Sequence, residues 1–210
     1  MAEPLTLARS ELILGGQKSG KSRRAEALAM AWLAQSTEHR AVFIATAQAW
    51  DDEMAGRIAR HRQDRADRVP AMATVEESLQ LAQAMHAHSR PDTLLVVDCL
   101  TLWLTNVLMP ATGHSGHGEG MDPKFKRKVP VALDGLAQVA TFLEVIRHSP
   151  SPVVLVSNEI GLGVIPLGRD VRGFVDALGR LNQDVAQVCQ RVTLMVAGVP
   201  VLIKSSAKAP

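Results

Sequence analysis

Three stretches of the chain carry side chains whose types and spacing suit chemistry on a phosphate. In "GGQKSGKS", Gly15 stands ahead of Gly20, Lys21 and Ser22 in the G-x-x-x-x-G-K-[ST] spacing of a phosphate-binding loop. Glycines let main-chain N–H groups turn inward around phosphate oxygens, and a helix opening behind the loop adds its positive end. Gly15, Gly16, Gln17, Lys18, Ser19 and Gly20 would form that cradle. Lys21 would neutralise the β- and γ-phosphates, and the Ser22 hydroxyl would ligate Mg²⁺. An accidental glycine-rich turn needs no particular neighbours. This one follows the apolar run "ELILG" and opens the helical pattern "KSRRAEALAMAWLAQ".

The second stretch is "TLLVVDC", an apolar run ending in Asp98. A P-loop enzyme draws the acid for its metal's water shell from such a strand end. Asp also caps helices, and "CLTLWLTNVL" follows, so the two roles are compatible here. The run "VVLVSNEIG" brings Asn158 and Glu159 to the same carboxyl edge, where open α/β sheets bind ligands. They are substrate-side groups or loop residues satisfying local backbone, and the sequence leaves both readings open.

The third stretch is "DDEMAGRIARHRQDRADR", residues 51–68, with His61 between Arg60 and Arg62. Asp51 and Asp52 suit a helix cap and Glu53 suits the helix dipole. Met54, Ile58 and His61 fall at i, i+4 and i+7, so His61 extends the apolar stripe. One reading is a half-buried histidine packed at the helix end with Asp64 as its acid partner. The other is a histidine facing a nucleotide phosphate, with the arginines on its oxygens. A neutral imidazole nitrogen can attack phosphorus and form a covalent intermediate.

These residues need a scaffold, and the rest of the chain supplies one. Short β-branched runs at 11–15, 41–46, 93–98, 152–158, 192–198 and 200–204 alternate with helical patterns near 21–36, 51–66, 75–89, 99–109, 131–148 and 170–190. The runs are continuously apolar, which predicts strands covered on both faces, hence a mainly parallel sheet. The expected fold is α/β, a P-loop NTPase-type doubly wound sheet flanked by helices, in a single domain over 1–210. The last two runs meet across Gly198, Val199 and Pro200, too short a connection for a parallel crossover, so they predict an antiparallel edge hairpin near the C-terminus. Residues 110–130, "PATGHSGHGEGMDPKFKRKVP", read as a surface excursion. Its His114 and His117 lack the third and fourth ligands a metal site wants.

Composition excludes several classes. A net charge of +2, from 23 basic against 21 acidic residues, is too even for a general nucleic-acid binder. With 4 Phe, 3 Trp and no Tyr there is little to stack bases on. No apolar run approaches the roughly 20 residues of a membrane span. The start "MAEPLTLARS" has no signal-peptide pattern, so the expected location is cytoplasmic. Cys99 and Cys189 follow no metal spacing and sit in apolar surroundings, which predicts two reduced core thiols.

Taken in order, "GGQKSGKSRRAEALA", "FIATAQAWDDEMAGRIARHR", "VVDCLTLWLTN", "SNEIGLGVIP" and "GRLNQ" resemble the bifunctional adenosylcobinamide kinase/adenosylcobinamide-phosphate guanylyltransferase family of cobalamin biosynthesis. The resemblance spans nearly the whole chain. It implies a trimer of P-loop subunits that uses ATP or GTP, with Mg²⁺, to phosphorylate a corrinoid hydroxyl. It implies a second step in which GMP passes from GTP through a guanylylated histidine, here His61, to the new phosphate. Nucleotide contacts from Thr46, Arg62 and Glu76 are implied in the same way, with the metal-side acid on Asp98. Met72 stands where the family commonly has tryptophan and Ser78 where it has proline, and the 110–130 excursion is longer than usual. Two further readings stand beside this one. The protein is a kinase only, with His61 structural, or a P-loop regulator that binds nucleotide without small-molecule chemistry.

Overall fold

The computed structural model describes residues 5–49, 51–109 and 131–206. The elements run β1 (Ser10–Gly15), α1 (Lys21–Leu33), β2 (Arg40–Ala45), α2 (Asp52–Arg68), β3 (Met72–Glu76), α3 (Leu81–His88) and β4 (Thr93–Asp98). They continue with α4 (Leu100–Leu108), α5 (Val131–His148), β5 (Val153–Val156), α6 (Arg169–Val188), β6 (Arg191–Val196) and β7 (Val199–Ser205). The seven strands lie in the order β3-β2-β4-β5-β1-β6-β7. Every neighbouring pair is parallel except β6 and β7, the expected antiparallel hairpin at one edge.

Continuous apolar strands work here because alternate residues enter two separate cores. Leu12, Leu95, Val97 and Leu155 point to the side covered by α3 to α6, where Trp103, Phe142 and Leu178 are buried. Ile13, Leu94, Val96 and Val154 point to the other side, where Ala25, Leu28 and Ala29 of α1 cover them. With side chains alternating across the pleat, such a strand must be apolar at every position. Cys99 and Cys189 are both free and buried, and burial pushes each thiol up to about 12.

Two expectations need correction. The helical pattern near 75–89 is in fact the edge strand β3 followed by the shorter α3. Along β3 only Met72 is buried, so its apolar signal is weak, and the polar run after it reads as helix. Asp98 does not cap α4. It remains the last residue of β4, and Cys99 is the N-cap, without a side-chain cap bond. The 110–130 excursion, with His114 and His117, lies outside the described residues. Among the described residues no group of three or more His, Cys, Asp or Glu is placed to hold a metal. No described helix is long and apolar enough to cross a membrane.

At the amino end of the sheet, fully buried Glu11 accepts from Arg24 at 3.0 Å, Arg191 at 3.4 Å and Thr193 Oγ1 at 2.7 Å. One carboxylate thus ties β1 to α1 and β6. Glu11→Ala leaves two guanidinium groups without their shared anion and is expected to cost about 3–5 kcal/mol. A denaturant titration reads this as a lower midpoint. An unchanged midpoint would mean that the cluster contributes nothing to the fold.

Candidate active site

Gly15 ends β1 at φ 150°, and a Cβ there would lie 2.6 Å from both the Met195 carbonyl and Ser19 Oγ. The chain can turn into the phosphate loop only because this residue has no side chain. Lys18 holds φ 57° at the loop's exposed crest, and Gly20, at φ 100°, starts α1. Gly20 brings no capping side chain, and no acid occupies the first turn of α1, so nothing there competes with an anion. The loop is pinned from outside: Gly198 N–H donates to Ser19 O at 3.0 Å, and Glu159 N–H to Gly15 O at 3.2 Å. Ser19 Oγ is buried without a partner.

Lys21 is buried and its ammonium donates to Gly16 O at 2.7 Å, folding back over the loop. Desolvation lowers its pKa, with the Asp98 carboxylate pulling the other way. Asp98 faces the loop from the end of β4. Burial raises its pKa, opposed by a hydrogen bond from Ser22 and by the nearby charges of Lys21, His61 and Arg65. A serine hydroxyl and a carboxylate side by side are hard oxygen donors that suit Mg²⁺, which also keeps several waters. The residues present fit that ion.

His61 is exposed on α2, yet near enough to Asp98 for the carboxylate to feel its charge. It is not the packed residue of the helix. Met54 and Ile58 are half-buried, and the stripe then continues to Arg65, the buried side chain of α2. Arg65 lies with its guanidinium 3.8 Å from the Phe43 ring centroid and its Nη2 3.4 Å from Thr74 Oγ1. Asp64 pairs with Arg68 at 3.2 Å, so it is not the acid partner of His61. Arg68 also pairs with the buried Glu26 of α1, whose carboxyl is pushed up by burial and held down by that arginine. At the other end, Asp51 caps α2 through Met54 N–H at 2.7 Å, as expected.

Beside this helix opens a pocket of about 690 Å³ lined by Gln48, Ala49, Ile58, Arg62, Glu76 and Ser78, among others. Arg62 and Glu76, both exposed, form an ion pair along its lining. Thr46 sits differently. It is fully buried, and its hydroxyl donates to Cys99 O at 2.7 Å while accepting from Cys99 N–H at 2.9 Å. That hydroxyl joins the ends of β2 and β4.

A family model described as cobinamide kinase / cobinamide phosphate guanyltransferase matches residues 11–203. The chain belongs to that family. A bifunctional adenosylcobalamin biosynthesis protein, CobP, of Pseudomonas aeruginosa is 44% identical over 195 residues, covering 92% of this chain and 96% of the relative. Two relatives named CobU, with the same description, come from Escherichia coli K12 and Salmonella typhimurium LT2. They are 36% and 37% identical, each covering 92% of this chain and 98% of its own length. As a member, the chain is an enzyme of the kinase and guanylyltransferase class.

The structure gathers Gly15 to Ser22, Asp98 and Glu159 at one sheet edge, with His61 within electrostatic reach. Asn158 N–H donates to Thr101 Oγ1 at 2.9 Å and its carbonyl accepts from Asn182 at 3.0 Å, so its backbone is occupied locally. Arg65, Asn106 and Asn182 escaped the sequence reading. The signal for Asn106 was a lone amide among the apolar residues of "LTLWLTNVL". Ser78 Oγ accepts from Gln48 Nε2 at 2.5 Å. Gly15→Ala places a methyl against the Met195 carbonyl at a backbone angle L residues avoid. It is expected to weaken GTP binding by about 10²-fold by displacing the loop, measured by calorimetry. Affinity near the wild-type value would show that the loop has another way to turn.

Proposed function

We propose that the enzyme phosphorylates adenosylcobinamide with a nucleoside triphosphate and then transfers GMP from GTP through His61. The observation that carries this reading is a phosphate loop with Lys21 folded over it beside Asp98 at the end of β4, with His61 near enough for the carboxylate to feel it. In the first step the corrinoid hydroxyl oxygen bonds to the γ-phosphorus, the bond to the β-phosphate oxygen breaks, the nucleoside diphosphate leaves and the hydroxyl proton passes to solvent. Lys21 and the amides of Gly15 to Gly20 neutralise the charge that develops. Ser22 and Asp98 would hold Mg²⁺, which supplies further charge neutralisation when bound. Asn158 and Glu159 border the loop on the side left for the acceptor hydroxyl.

In the second step an imidazole nitrogen of His61 attacks the α-phosphorus of GTP. The N–P bond forms, the bond to the β-phosphate oxygen breaks, and pyrophosphate leaves. An oxygen of the corrinoid phosphate then attacks the same phosphorus and frees the histidine. Arg62 and Glu76 line the neighbouring pocket, which suits the nucleoside end of GTP. Thr46 supports that pocket through its buried clasp rather than through an exposed hydroxyl.

We further propose that the working form is a cytoplasmic trimer. Leu162, Val164, Ile165 and Leu167 are exposed in succession, Val164 and Leu167 by 95% and 98%. Val199, Leu202 and Ile203 stand exposed on the edge strand β7. Apolar surface of this extent suits burial against other copies. Sedimentation equilibrium at micromolar concentration should return three times the 22.6 kDa chain mass. A monomer would refute the trimer.

Incubation with α-labelled GTP should leave one acid-labile, base-stable label on His61, as a phosphoramidate requires. His61→Ala should take no label yet still phosphorylate the corrinoid. Lys21→Ala should lose kinase turnover by about 10²–10³-fold. Phosphorylation without any label on wild-type protein would leave a kinase alone. Nucleotide-dependent binding of another protein, without corrinoid turnover, would leave a regulator.

A further inference from the structure

Asn106 on α4 is 2% exposed. Its amide nitrogen donates to Thr46 O at 2.8 Å and to Ser78 O at 3.1 Å, spending both hydrogens on main-chain carbonyls 32 residues apart in sequence. One turn earlier, Trp103 Nε1 donates to Leu79 O at 3.0 Å. The Ser78 carbonyl belongs to one wall of the pocket beside the His61 helix, and the Thr46 carbonyl immediately precedes a second, with α2 residues 55–62 completing the lining. Residues 76–78 form the first wall and residues 47–49 the second. The walls also meet through Gln48 to Ser78 Oγ at 2.5 Å and Glu77 N–H to Ala45 O at 2.9 Å. Thr46 is fixed in turn by its hydroxyl to the Cys99 peptide and by its N–H to Asp98 O at 3.2 Å.

We propose that Asn106 is a positioning residue for the nucleobase. Its amide sets the separation of the two pocket walls and holds both at a fixed offset from Asp98, beside the phosphates. This rests on the reading that the pocket takes the nucleoside end of GTP. Two carbonyl oxygens facing one point need two donors from a single short side chain, which the asparagine amide supplies. An ionised aspartate would set a third acceptor against them, and alanine would leave both without a partner.

The test compares GTP with inorganic tripolyphosphate, each with magnesium, as ligands of the full-length wild type, Asn106→Ala and Asn106→Asp. Tripolyphosphate reads the phosphate loop alone. For both variants, tripolyphosphate affinity should stay within about twofold of wild type, while GTP affinity falls by about tenfold or more. In guanylylation of His61, the loss should sit in the GTP concentration dependence, with a smaller change in the maximal rate. Asp keeps the size of the side chain, so it carries the test if the alanine variant does not fold, and thermal melting reports which has folded.

Equal weakening of both ligands would reduce Asn106 to a support of the fold, and unchanged GTP affinity would remove it from the base site. Failure of the underlying reading looks different. Wild-type protein that binds GTP no more tightly than tripolyphosphate would show that the pocket does not take the nucleoside at all.

Discussion

Gly15 passes so close beneath the Met195 carbonyl that a single methyl group would not fit, and the active edge is arranged around that contact. β1 runs between β5 and β6, so its end is boxed on both sides before the chain turns. The turn starts from a fixed point, and main-chain bonds to Gly198 and Glu159 and the Lys21 ammonium on Gly16 O hold it. A loop held mostly by backbone keeps its inner amides for phosphate, and close packing of its walls resists deformation. Lys21, Ser22 and the start of α1 follow within seven residues of this point.

A second tie brings the acid to the loop. Hydrogen bonds between Thr46 and the Cys99 peptide lock the ends of β2 and β4. Asp98 is thereby presented to Ser22 despite the burial that disfavours its charge. The hydroxyl and the basic side chains around it recover only part of the cost of keeping a carboxylate there, so its pKa stays raised. α2 is attached more sparingly, through Arg65 stacked on Phe43 and Arg68 paired with Glu26. His61, one turn before Arg65, is therefore exposed while its helix remains anchored. On the proposed reading, in which His61 attacks an incoming phosphate, that exposure serves it better than packing into the core would.

Much of this architecture is legible in the residues themselves. The phosphate loop announces itself because glycine, lysine and serine each answer a local demand at fixed spacing. The parallel sheet follows from strands apolar at every position, and the edge hairpin from a connection too short to cross over. β3 is not legible, because an edge strand with one buried residue leaves almost no periodic trace. The cap of α4 misleads for a related reason: Asp98 satisfies the local rule, yet it closes β4 and the cap position falls one residue later, on Cys99.

The residues by themselves determined the chemistry proposed for the site: a phosphate cradle, a carboxylate for the metal side and a histidine to attack phosphorus. Only the tertiary structure decided how these meet. It turned Thr46 inward as a clasp and gave the buried face of α2 to Arg65, which leaves His61 exposed. It also spent the Asn106 amide on two carbonyls distant in sequence. The physical reason is that local spacing dictates backbone turns and helix faces. The partner of a buried polar group, by contrast, is fixed by which strands the sheet places side by side.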